Sequence, residues 1–192
     1  MSSEYQLSLE PVTLASAGPE VKDTLAGAKK NLGFVPNMYG NMANAPSLLK
    51  SYLQTYELFR KESTFSAAEQ EVIFLTLSRD NGCTYCVAAH SMIADKMSGV
   101  PADVTKAIRK GEAIQDSKFA ALSEFTRIMQ ATRGLPSKKA VEAFLAAGYS
   151  ERHILEVIVG IAVKTMSNYS NHLFHTPVDA AFADWSWQGQ TK

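Results

Sequence analysis

An all-α fold is predicted by two observations. Helix start and stop signals recur along the chain at helix-sized intervals, and alternating strand patterns joined by Asn-Gly or Asp-Gly hairpin turns are missing. The 192 residues are 46% hydrophobic, enough for a real core in one large domain or two small halves. The chain reads as a single helical domain, 1–192, with an N-terminal half over about 19–111 and a C-terminal half over about 112–186.

Taken in order, the first helices are expected over about 19 to 31 and 46 to 61, with Gly33 marking the joint after the first. Ser66-Ala-Ala-Glu69 is a capping box, and Val72, Ile73, Leu75 and Leu77 behind it predict a mostly buried helix running to about Arg79. Asp80-Asn81-Gly82 breaks it. The next helix should begin at Gly82 or Cys83, capped by Asp80 or Asn81, and run to Lys96, where Met97-Ser-Gly-Val-Pro101 ends it. Pro101 opens a short helix to Lys110-Gly111. Further helices are expected over about 117 to 132, 136 to 147, 151 to 170 and 177 to 186, with Gly134 and Gly148 at joints.

An offset of 85 aligns Glu71-Val72-Ile73 with Glu156-Val157-Ile158, Arg79 with Lys164 and His90 with His175. The two halves therefore read as a duplicated helical unit, the second a degenerate repeat. Its Asn168 and Asn171 fall where the first half has cysteines, so Asn168, Asn171 and His175 are expected to make structural hydrogen bonds.

Lys plus Arg and Asp plus Glu balance at 19 each, and no basic run marks a nucleic-acid or membrane partner. The N-terminus lacks a basic segment leading into an apolar core, and no stretch approaches the roughly 20 apolar residues of a membrane span. A cytoplasmic protein is expected, acting on small molecules or proteins. In that reducing compartment a Cys-x-x-Cys pair is more often catalytic, redox-active or metal-binding than a static staple.

The chain has two cysteines and four histidines, and three of these six residues fall in Cys83-Thr-Tyr-Cys86-Val-Ala-Ala-His90. On a helix these positions share one stripe, with His90 one turn below Cys86. A helix N-terminus and a neighbouring histidine both favour thiolate, so Cys86 is the better-activated thiol and Cys83 is placed to close a disulfide with it. A helical hairpin through Asp80-Asn81-Gly82 would fold Glu71 back towards His90, where a carboxylate can orient the imidazole and pass on a proton. A structural zinc would need four good ligands, and no second Cys/His pair has finger-like spacing. No metal or cofactor is expected.

Glu71-x11-Cys83-x2-Cys86-x3-His90 closely resembles the active-site signature of the AhpD-like alkylhydroperoxidases of the carboxymuconolactone decarboxylase superfamily. The resemblance extends over most of residues 20 to 180, including Asn168-Tyr-Ser-Asn171-His172-Leu-Phe and Thr176-Pro177-Val-Asp179. It implies an all-helical fold of two related halves and a homo-oligomer, trimer or hexamer. It further implies that Cys86 attacks a peroxide to form a sulfenic acid, that Cys83 resolves it as a disulfide, and that His90 and Glu71 relay protons. A peroxide substrate and an external dithiol protein as reductant follow from the same resemblance. One position departs from the pattern: Tyr85 stands where the best-studied members have histidine, and a phenol is no base near pH 7.

The leading function is thus a thiol peroxidase for organic or hydrogen peroxide. The alternatives are general thiol-disulfide exchange and a non-enzymatic oligomeric redox sensor. Lactone decarboxylation, suggested by the superfamily name, ranks low. His172 and His175 are expected to be structural, and Phe182, Trp185 and Trp187 to pack on a partner subunit.

Overall fold

The computed structural model describes residues 3–189, and among these no strand occurs. The helices are α1 (Pro19–Leu32), α2 (Asn37–Met42), α3 (Pro46–Glu62), α4 (Ala67–Asp80), α5 (Thr84–Ile93), α6 (Ala102–Lys110), α7 (Ser117–Ala131), α8 (Lys138–Ala146) and α9 (Glu151–Phe174). A π turn, Ala94–Ser98, prolongs α5, and a 3-10 turn, Ala180–Trp185, lies near the C-terminus. None of the helices described is long and apolar enough to cross a membrane.

Helix α4 is the centre of the molecule. Every residue from Glu69 to Ser78 is buried, because the run Val72-Ile-Phe-Leu is apolar on all faces and α5, α6, α7 and α9 pack around it. Its polar side chains are satisfied inside: Thr76 pairs with Ser123 and Ser78 donates to the Phe74 carbonyl. The capping box forms as its spacing predicts, with Ser66 N donating to Glu69 Oε2 at 2.9 Å and Glu69 N to Ser66 Oγ at 3.3 Å.

Gly160 sets how closely α9 lies on α4. A Cβ there would stand 2.9 Å from Ile73 Cγ2, so hydrogen at this position lets the two backbones approach. One turn later, on the same face, stands Lys164.

Several boundaries differ from those expected. Cys83 itself is the N-cap of α5, and neither Asp80 nor Asn81 caps it. Asp80 instead pairs with Arg79 and Arg127, while Asn81 donates to Asn168 Oδ1 and accepts from Gln130 Nε2. Helix α2 has six residues, too few to show a periodicity. Helix α9 continues to Phe174, where His175 takes the left-handed conformation that ends it, φ 50°. The segment expected as a helix over 177 to 186 is a 3-10 turn over six residues.

The duplicated pattern also takes a different form in each half. Thr165-Met-Ser167 occupies the register of Asp80-Asn-Gly82 and has no glycine to break it, so α9 runs straight through where α4 and α5 fold into a hairpin. Glu156 and His175 consequently lie at opposite ends of one helix, roughly 28 Å apart at 1.5 Å per residue. Glu156 accepts from Thr64 and Arg152, and His175 pairs with the Ser3 carbonyl.

The C-terminal aromatics make contacts within their own chain. Phe182 meets Phe34 and Tyr85 edge to face, Trp185 Nε1 donates to Asp95, and Trp187 Nε1 donates to the Arg109 carbonyl. Arg109 clasps this segment by donating to the carbonyls of Trp185 and Ser186.

Candidate active site

Gly82, in the left-handed conformation at φ 71°, reverses the chain between α4 and α5, which lets the two helices pack together. Glu71 on α4 thereby meets His90 on α5, Oε2 to Nδ1 at 2.8 Å. Cys83 and Cys86 are free thiols at the start of α5, and all four sequence-identified residues are buried.

Three further side chains complete the cluster. Arg60 on α3 donates to Glu71 Oε1, and also to Gln70 Oε1 and the Tyr56 hydroxyl. Lys164 on α9, 1% exposed, places Nζ 2.9 Å from His90 Nε2. Asn171, also on α9, directs its amide at both sulfurs, 3.3 Å from Cys86 Sγ and 3.9 Å from Cys83 Sγ. An ammonium has only protons to give, so Nε2 accepts from Lys164 and Nδ1–H donates to Glu71. Both ring nitrogens are thus engaged, and His90 reaches Cys86 through Lys164 rather than by a direct hydrogen bond.

The electrostatics separate the two thiols. Burial pushes Cys86 up, but the Cys83 thiol hydrogen-bonded to it, the Lys164 charge, the nearby His90 ring and the Asn171 amide together hold it well below an ordinary thiol. Cys83 moves the opposite way, raised by burial and then by the neighbouring Cys86 sulfur. Burial and the Lys164 charge lower His90 against the pull of Glu71, in keeping with a neutral ring between a carboxylate and an ammonium. Burial would raise Glu71, yet His90 and Arg60 outweigh it and its carboxyl lies below the usual range.

Tyr85 plays no direct part in this chain of contacts. Its hydroxyl donates to Asp179 at 2.5 Å, and the Asp179 carboxylate also accepts from the Asn37 backbone N–H. Burial and the Asp179 carboxylate push the phenol far up, so it stays protonated. The position that departs from the family pattern is therefore a strut between α5, α2 and the C-terminal segment.

Cys86 and His90 open onto an apolar cleft of about 830 Å³ walled by Phe34, Tyr39, Tyr52, Tyr56 and Phe182. Cys83 lines a different space, a pocket of about 330 Å³ shared with Thr84, Asn171, His172, His175 and Gln188. Among the described residues no group of three or more His, Cys, Asp and Glu side chains is arranged to hold a metal ion.

Sequence reasoning missed Arg60 and Lys164 and assigned Asn171 a purely structural role. A signal for Lys164 was present: it ends the apolar run Val157-Ile-Val-Gly-Ile-Ala-Val163, and a lone lysine on a buried face needs a partner. For Arg60, among the other charges of α3, no comparable signal exists.

The fold is the all-helical one of the AhpD-like proteins. The chain superposes on the alkylhydroperoxidase AhpD core of an uncharacterized peroxidase-related protein from Ralstonia eutropha JMP134, with a TM-score of 0.78, 20% identity, and 91% of this chain and 93% of that chain covered. An uncharacterized peroxidase-related protein from Silicibacter sp. TM1040 gives 0.77 at 20% identity over 94% and 95% of the two chains. The debrominase Bmp8, solved in complex with 2,3,4-tribromopyrrole, gives 0.71 at 19% identity over 94% and 96%. At such identities these likenesses establish the fold. Residues 46–126 match the model of the carboxymuconolactone decarboxylase family. No curated protein sequence matches it.

Proposed function

We propose that this protein is a thiol-dependent peroxidase that reduces an organic hydroperoxide through a Cys83–Cys86 dithiol/disulfide cycle. The observation that carries this reading is the placement of Cys86, a thiol held low by Lys164, His90 and Asn171, on the wall of an aromatic cleft. The Cys86 thiolate attacks the terminal peroxide oxygen, the O–O bond breaks, and the alkoxide leaves with a proton supplied through the Lys164–His90–Glu71 chain. Cys86 is then a sulfenic acid. Cys83 attacks that sulfur, the S–O bond breaks, and water departs as the disulfide forms. An external dithiol restores both thiols. The apolar walls favour an organic body over hydrogen peroxide, which would leave most of the cleft unfilled.

The test is a stoichiometric pulse of cumene hydroperoxide on reduced protein, with thiols counted before and after. Wild type should lose both, Cys83→Ser should stop at sulfenic acid, and Cys86→Ser should not react. Survival of both wild-type thiols would overturn the reading.

A second reading draws on the same cleft. Its aromatic walls suit a planar ring, and the fold is shared with a debrominase bound to a bromopyrrole. Release of bromide from 2,3,4-tribromopyrrole, coupled to disulfide formation and absent with hydroperoxide, would favour reductive dehalogenation instead.

A further inference from the structure

The C-terminal segment lines two cavities. Ala181 and Phe182 wall the aromatic cleft, whereas Trp185 and Trp187 line a pocket of about 350 Å³ whose other walls come mainly from α5, the π turn and α6. The two cavities share no lining residue, so this pocket is separate from the cleft over Cys86.

We propose that this pocket is a second ligand site, which takes a small carboxylate with a flat apolar body. The proposal is independent of the reaction assigned to Cys86.

Charge is the first reason. Arg109 is half-buried, and burial alone acts on its guanidinium, lowering its pKa with no anion to offset the loss of water. Of its five N–H groups, three donate to neutral oxygens, from Nη1 to Ser91 Oγ and the Trp185 carbonyl and from Nη2 to the Ser186 carbonyl. Nε–H and one Nη2–H remain uncommitted among the described residues. Donors on adjacent nitrogens of one guanidinium suit the two oxygens of a carboxylate. Lys106 and Lys110 line the same pocket, against a single lining acid, Asp95. Asp95 is already engaged by Lys96 and by the Trp185 indole N–H, and the pair of Lys110 with Glu112 is long, at 3.6 Å, and exposed. The pocket therefore keeps a positive excess.

An orphaned atom is the second reason. Thr105 Oγ1 belongs to the pocket lining, is buried, and has no hydrogen-bond partner among the described residues. Buried polar atoms are nearly always satisfied, and a hydroxyl on a wall with three cations can donate to the anion they attract. Shape is the third. The indole N–H groups of Trp185 and Trp187 are used by Asp95 and by the Arg109 carbonyl, so the rings offer a ligand apolar area rather than hydrogen bonds. A volume of about 350 Å³ lies at the small end of the range for organic ligands, which suits one ring with a short acid arm. An inorganic anion would satisfy Arg109 and leave the indoles in water. A bound acid would bridge α6 and the C-terminal segment, the same segment that carries Phe182 into the cleft wall.

The chain's two tryptophans are Trp185 and Trp187, so their emission reports on this pocket directly. Reduced protein is titrated with phenylacetate, and with phenylacetamide as the neutral analogue, in wild type, Thr105→Val, Lys106→Glu and Ala89→Phe. Phenylacetate should change the emission saturably and raise the melting temperature with concentration, while phenylacetamide should bind at least about tenfold more weakly. Thr105→Val should weaken phenylacetate binding about threefold and Lys106→Glu about tenfold. Lys106 is exposed, so its variant folds, and Arg109 is left intact because it also holds the C-terminal segment. Ala89→Phe narrows the cleft and should bind phenylacetate as wild type does. No saturable change in emission, equal affinity for acid and amide, or unchanged affinity in Lys106→Glu would overturn the site. So would loss of the signal in Ala89→Phe, which would put the probe in the cleft. Peroxide plays no part in the titration, so failure of the peroxidase reading leaves its outcome decisive.

Discussion

Lys164 carries the largest consequence at the scale of single residues. An ammonium at 1% exposure loses several kcal/mol of hydration, and what offsets it here is the His90 ring nitrogen, the Phe74 face at 5.5 Å and the thiolate form of Cys86. The sign of its removal follows. A cation favours thiolate, so Lys164→Met should move the inflection of Cys86 alkylation up towards the ordinary thiol range near 8.5 and slow the reaction at pH 7 about three- to tenfold. His90 rises at the same time, freed of the cation that holds it down, and partly compensates. Iodoacetamide rates against pH in a Cys83→Ser background measure this with one titrating thiol, and an unmoved inflection would remove Lys164 from the mechanism. Glu71 is the matching anion. Glu71→Gln leaves Arg60 and His90 without their carboxylate and should cost about 3 kcal/mol in urea unfolding.

At the scale of elements, the site depends on the contact between α4 and α9. Gly160→Ala should improve helix propensity by about 1 kcal/mol, but the added Cβ meets Ile73 at 2.9 Å and overpacking costs about 1–3 kcal/mol. The clash wins, for a net loss of about 1 kcal/mol. Displacing α9 also carries Lys164 away from His90, so Cys86 reactivity at pH 7 should fall with stability. Gly27→Ala on α1 is the control: nothing lies within 4 Å of its Cβ, and the same change there should stabilise by about 0.5–1 kcal/mol. Thermal unfolding of the two variants side by side tests the contrast. The same contact explains why half the site escaped a reading by motif: Glu71, Cys83, Cys86 and His90 lie on one contiguous hairpin, whereas Lys164 and Asn171 arrive from a helix over seventy residues further on.

For the whole molecule, acid sensitivity follows from groups already described. Glu71 and His90 both have folded-state pKa values below their ordinary ones. A group lowered in the fold contributes stability above its unfolded value, and that contribution is lost as pH falls through the folded value. Melting temperature should therefore decline from about pH 6.5, where His90 begins to bind protons in the unfolded chain, through the carboxylate range near pH 4. Glu71→Gln should flatten the lower part of that decline. Assembly has a visible candidate surface, since α9 exposes Leu155, Ile158, Tyr169 and Leu173. The homo-oligomer that the family resemblance implies is expected to bury this stripe. Ile158→Glu with Leu155→Glu should then shift the sedimentation coefficient to that of a monomer, and an unchanged mass would place the interface elsewhere.

Local sequence alone was enough for what depends on neighbours in the chain. The capping box at Ser66, the all-round apolar run of α4, the break at Asp80-Asn81-Gly82 and the spacing of Glu71, Cys83, Cys86 and His90 act within about twenty residues, so helix, turn and the Glu71–His90 contact are readable from the letters. Tertiary structure decided the rest because it depends on distant contacts. It brought Lys164 against His90, turned Asn171 from an expected structural hydrogen-bonding residue into a donor to sulfur, and tied Tyr85 to Asp179. It also kept α9 straight where the aligned hairpin bends, and opened Cys83 and Cys86 onto different spaces. A buried charge can be recognised as needing a partner from its apolar surroundings, but which partner it finds is settled only when α9 packs across α4 at Gly160.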